Sequence, residues 1–180
     1  MIQEISKYNG LTFNDSIKHN YESKRNNNCY TYAINQPKNP KTTCAYANYS
    51  HCQPGNLGGG GIRSKASYSD KKLKSHEIII LARKDLKQLG YSLLKTTYKK
   101  YITDLDCWKV AFCLSDDDYH WYRQNDDGTW SNKRGDAEVT NKDYSGDIIH
   151  NPEECDRGEY EFFVGFYLIN KIEGVKNKCS

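Results

Sequence analysis

Tyr119-His120-Trp121-Tyr122-Arg123-Gln124-Asn125-Asp126-Asp127-Gly128-Thr129-Trp130-Ser131-Asn132-Lys133 is the stretch on which the fold turns. Two aromatic-rich arms flank a polar centre that ends in Asp127-Gly128, a strong hairpin signal. A turn around Asn125 to Gly128 pairs Trp121 with Asn132 and His120 with Lys133. Asn132 then lies on the strand beside His120. A one-residue change of register decides which face it takes. Trp121 and Trp130 read as strand packing. Arg123 reads as a hairpin surface residue or a partner of nearby carboxylates.

Working outward, Cys107 to Leu114 is an apolar strand, and Tyr160 to Ile169 is the final core strand. Residues 134–159 between them are polar and rich in turns. Ser75 caps a run from Ile78 to Gly90 whose apolar residues at 78, 81, 82, 86 and 89 recur at helical spacing. Tyr91 to Leu94 follows as a strand or a continuation of the helix. Asn26 to Asn28, all able to cap, precede Cys29-Tyr30-Thr31-Tyr32-Ala33, a short helix stopped by Pro37 and Pro40. Residues 36–66 form a long loop containing Gln53-Pro54-Gly55 and Gly58 to Gly61. No Gly-Lys-Ser/Thr follows the glycines, so they are not a phosphate loop. The expected class is α+β: an N-terminal helix carrying Cys29 against an antiparallel sheet. One domain covers 1–180, with a polar segment at 1–25 and a frayed tail at 171–180.

The chain has 180 residues, enough for one core. Its mean hydropathy is −0.90, yet 15 Tyr, 5 Phe and 3 Trp supply large core groups. A net charge of +3 with scattered basic residues argues against a nucleic-acid partner. No run approaches the roughly 18 apolar residues of a membrane span. The start, Met1-Ile2-Gln3-Glu4-Ile5, lacks the pattern of a secretory signal. The expected location is therefore cytoplasmic, with non-classical export or delivery into a host left open. Seven cysteines are an odd number, and mostly free thiols are expected; a Cys44–Cys52 disulfide fits the spacing. Cys44 with His51-Cys52, and Cys107 with Cys113 and His120, lack the paired spacing of structural zinc sites, so no metal or other cofactor is expected. The acidic runs Asp116 to Asp118 and Asp126-Asp127 read as turn residues.

Chemistry comes from joining Cys29 with His120. A cysteine that opens a helix can have its thiol pKa lowered, and a histidine can act as its base. Asn132 is the first choice to orient that histidine, with Ser131, Asp136 and Asp147 as alternatives. The Cys29 amide would hold an oxyanion together with Asn28, Asn27 or Gln53.

Asn28-Cys29-x-x-Tyr32-Ala33 followed much later by His120 on a strand resembles the papain-like cysteine peptidase superfamily, in its NlpC/P60 and CHAP branch. The run His120-Trp121-Tyr122-Arg123-Gln124 with Asp127-Gly128-Thr129-Trp130 also resembles uncharacterised bacterial, phage and toxin-associated domains. The first resemblance implies a papain-like or NlpC-like fold. It also implies a thiol hydrolase acting on a peptide or other amide, in a protein or in peptidoglycan, with acyl transfer as a variant. The rival is a non-catalytic binding module, effector- or toxin-associated, using the aromatic hairpin and the glycine-rich loop for recognition.

Overall fold

The computed structural model describes residues 27–35, 52–57, 75–99 and 107–172. The expected segments 1–25 and most of the 36–66 loop, including Gly58 to Gly61, lie outside these residues. Eight elements follow in order: α1 (Cys29–Ala33), α2 (Ser75–Gln88), β1 (Tyr91–Thr96), β2 (Cys107–Leu114), β3 (Tyr119–Gln124), β4 (Trp130–Lys133), β5 (Val139–Thr140) and β6 (Phe162–Lys171). The strands form one six-stranded sheet in the order β1-β6-β2-β3-β4-β5, antiparallel at every pairing.

This corrects the α+β, papain-like expectation. The described residues are largely β, with two helices of 5 and 14 residues beside six strands. The physical reason lies in α1. Its C-terminal neighbour Asn35 turns into the left-handed region at φ 55° and ends the helix after little more than one turn. The element holding Cys29 is thus a capped turn laid on a sheet.

β2 is buried along its whole length, as a central strand covered on both faces must be. Its one cation, Lys109, is accommodated because Nζ reaches the Tyr98 carbonyl at 2.7 Å. Alternation splits β2 and β3 between two cores. Val110, Phe112, Tyr119 and Trp121 face α1 and α2, packing with Tyr30, Ile78, Ala82 and Leu86. Ala111, Cys113 and Tyr122 face the other way, under Trp130, Ile149, Tyr160 and Phe166. The turn-rich segment 141–161 closes this second face. Its hub is buried Asp143, whose carboxylate accepts from the amides of Ser145, Asp147 and Asp156.

α2 begins at Ser75, and Gly90 takes φ 83° just past its end, where a left-handed residue terminates a helix. β4 begins one residue later than expected, and β6 is displaced towards Lys171. That residue belongs to the last strand, not to a frayed tail.

Candidate functional site

β3 and β4 build the histidine side of the site. The loop between them closes with Asn125 N–H donating to Thr129 O at 2.8 Å, and Gly128 takes φ 85°. Asp127 Oδ1 accepts from both the amide and the hydroxyl of Thr129, at 2.8 and 2.6 Å. Thr129 is thereby drawn into the turn. The strands pair Tyr122 with Asn132 and Arg123 with Ser131. The expected pairs Trp121–Asn132 and His120–Lys133 are therefore one residue out of step. That step puts Asn132 on the face of Tyr122 and His120.

His120 Nε2 lies 3.1 Å from Asn132 Oδ1. The amide end, Nδ2, sits 3.5 Å from the carbonyls of both Thr140 and Lys142. Two acceptors around Nδ2 leave Oδ1 for the imidazole, so Nε2 donates and the neutral ring keeps its lone pair on Nδ1. Tyr160 stacks on the ring with centroids 4.9 Å apart and 22° between planes. Tyr122 meets it edge-on, also at 4.9 Å. Tyr160 is held by its hydroxyl, which donates to Asp118 Oδ2 at 3.0 Å.

α1 supplies the thiol. Asn28 caps the helix: its side chain accepts from Thr31 N–H, and Thr31 Oγ1 accepts from Asn28 N–H. Cys29 is the first helical residue and is 6% exposed. Its Sγ lies 3.9 Å from the carbonyl of Tyr119, the residue before His120. The helix packs on the face of β3 that holds Trp121, with Tyr30 and Trp121 rings 5.9 Å apart. The His120 ring lies on the opposite face. Thiol and imidazole thus reach β3 from two sides at its first two residues. Burial, followed by Asp118 and a charge on Cys29, pushes the Tyr160 phenol far above its ordinary range. Burial also raises Cys113, against the pull of Arg157 and with a further push from Cys29.

Of the expected oxyanion groups, Asn28 is committed, because Nδ2 donates to Cys52 O at 3.0 Å and Oδ1 caps the helix. Asn27 is buried with Oδ1 unpaired, an acceptor that an oxyanion cannot use. Gln53 is placed better. Its Oε1 accepts from the Tyr119 hydroxyl, and its backbone is fixed through Asn56. Among the described residues Gln53 Nε2 has no hydrogen-bond partner, which leaves a donor near Tyr119 at the Cys29 end of β3. The alternatives to Asn132 are elsewhere. Ser131 faces α1, bonded to Tyr32 and Asn125 at 2.6 and 2.7 Å. Asp136 and Asp147 are exposed.

Asp85, unremarked in the sequence, ties these parts together. It is fully buried, and Oδ2 accepts from Tyr30 OH at 2.9 Å and Gly55 N–H at 2.7 Å. One carboxylate on α2 thus fixes both α1 and the 52–57 turn. Its signal was there to find: an acid at 85 falls within the buried stripe 78, 82, 86. Tyr160 had no such signal, because its role depends on a long-range closure.

Cys29, Cys107, Cys113 and Cys155 are free thiols, and Cys52 is in a disulfide whose partner lies outside the described residues. No group of three or more His, Cys, Asp or Glu among the described residues is arranged to hold a metal. No helix among them is long and apolar enough to cross a membrane.

Compared with known proteins, the chain is 31% identical over 143 residues to insoluble matrix shell protein 1 of Ruditapes philippinarum, covering 79% of this chain and 79% of that protein. No family model matches the chain, and no solved structure matches it.

Proposed function

The chain belongs to the family of insoluble matrix shell protein 1, and within that family we propose a cysteine-dependent enzyme that forms an acyl-enzyme on Cys29. The observation that carries this reading is the His120 Nε2 to Asn132 Oδ1 bond at 3.1 Å. A histidine so anchored holds one tautomer and presents Nδ1 as base, then as acid to the leaving group. Cys29 attacks an amide carbonyl; because thiol and imidazole meet β3 from opposite faces, its proton passes to His120 around the Tyr119 end of the strand through a bridging water, and from there to the departing amine. Gln53 Nε2 and the Cys29 amide stand as the oxyanion donors. α1 is only 5 residues long, so stabilisation of the thiolate falls more on His120 than on the helix dipole.

The acceptor that completes turnover is water or a second amine. An amine acceptor would join proteins, which suits the relative's name, an insoluble matrix protein. A cytoplasmic location agrees poorly with the Cys52 disulfide, which belongs to oxidising surroundings. We place the chain outside the reducing cytosol.

A second reading, the non-catalytic module, is favoured by one observation. Cys29 and His120 are only 6% and 2% exposed. Reaction of the full chain with an activated acyl ester, read by intact mass, separates the two. The enzyme gives a single acyl adduct that maps to Cys29, turns over, and is absent in Cys29→Ala. The module gives no adduct, or adducts spread over several thiols.

A further inference from the structure

Arg123 is a buried cation that the proposed chemistry does not use and whose side edge lacks a hydrogen-bond partner. It is 1% exposed on β3. Nη1 donates to Asn35 Oδ1 at 3.1 Å, while Nε and Nη2 are buried with no hydrogen-bond partner. The tails of Tyr32 and Trp108 are committed elsewhere, to Ser131 Oγ and the Ala33 carbonyl. Their rings flank the guanidinium carbon at 6.0 and 5.8 Å. Such cation–π contacts are weaker than the cost of burying an unpaired charge, and arginine does not escape by losing its proton.

The pattern of unpaired atoms is specific. Nε–H and Nη2–H form the side edge of the guanidinium, two parallel donors matched to the two oxygens of a carboxylate. Asn35 occupies the only other donor in use and holds the group in plane. It does so from the left-handed backbone, φ 55°, which asparagine adopts readily just past a helix end. We propose that the Arg123 side edge, walled by Tyr32 and Trp108 and braced by Asn35, is a binding site for a small planar oxyanion of the carboxylate class, of formate or bicarbonate size. An exposure of 1% leaves no opening for larger acids. The flat fork disfavours tetrahedral anions.

The test uses the full chain labelled at arginine Nε, with formate as probe and chloride and sulfate as controls at matched ionic strength. Formate should move one Nε–H resonance and raise the melting temperature, both saturably, with chloride ineffective and sulfate at least tenfold weaker. Arg123→Lys keeps the charge but not the fork, and should bind formate at least tenfold more weakly. Should that variant fail to fold, Asn35→Gly keeps the backbone conformation and identifies the Arg123 resonance by removing the Nη1 acceptor. Equal effects of formate and chloride on the wild type would overturn the proposal. So would an Arg123 Nε–H already bonded without added anion and unmoved by formate, since a carboxylate of the chain itself would then fill the fork.

Discussion

Asn132 faces two ways, and its value to the molecule follows from that. Oδ1 meets His120 Nε2 while Nδ2 points at the Thr140 and Lys142 carbonyls. Asn132→Ala leaves buried groups unpaired and should cost about 1–3 kcal/mol by urea unfolding. On the proposed chemistry it should also slow Cys29 alkylation at neutral pH, because His120 loses its tautomer. Asp85→Ala should cost more, about 3 kcal/mol or above, since the Tyr30 hydroxyl and the Gly55 amide lose a charged acceptor together. A midpoint shift smaller than that of Asn132→Ala would refute the tying role given to Asp85. Cys155 offers a contrast to Cys29. Burial pushes its thiol up from 9.0 to about 11, against Arg157. It should alkylate slowly at about pH 8, though it is half-exposed.

At the scale of elements, the hairpin shows how far sequence reading reached. β2 and β3 were legible to the residue, since aromatic and β-branched runs ended at acidic turns. Their register with β4 was not, because it depends on Asp127 drawing Thr129 into the loop. One residue of difference changes the face of Asn132, yet composition is the same either way. Asp127→Ala should release Thr129 to pair with Gln124, shift the register by one residue, turn Asn132 away from His120 and remove their bond, seen as a changed His120 ring resonance. An unchanged resonance would show that the sheet, not the turn, sets register. α1 was legible through its caps, but its end was not. Nothing in Ile34-Asn35 announces a left-handed asparagine braced on a buried arginine. Arg123 itself, expected at the surface, is buried because β3 carries it under α1.

Over the whole molecule, the expected α+β layering gave way to a sheet closed on its second face by turns. A long polar segment looks like loop in sequence, and its packing depends on Asp143 and on aromatic residues distant in the chain. That second face holds Cys113, Tyr122 and Tyr160, all raised in pKa chiefly by burial, with Cys155 at its margin. A raised folded pKa gives stability that is complete below the unfolded value and is lost as pH rises through the folded one. Urea midpoints should therefore hold from neutrality to about pH 8 and fall beyond about pH 9. A midpoint that stays level through this range would show that the face opens to water without cost.

The activated Cys29–His120 pair is tested most directly by the pH dependence of thiol alkylation, mapped by mass spectrometry in wild type and His120→Ala. Preferential labelling of Cys29 below about pH 7, lost in the variant, is the predicted result. Cys29 reacting no faster than Cys107, Cys113 and Cys155, or equally in both proteins, would contradict the enzyme and leave a non-catalytic module.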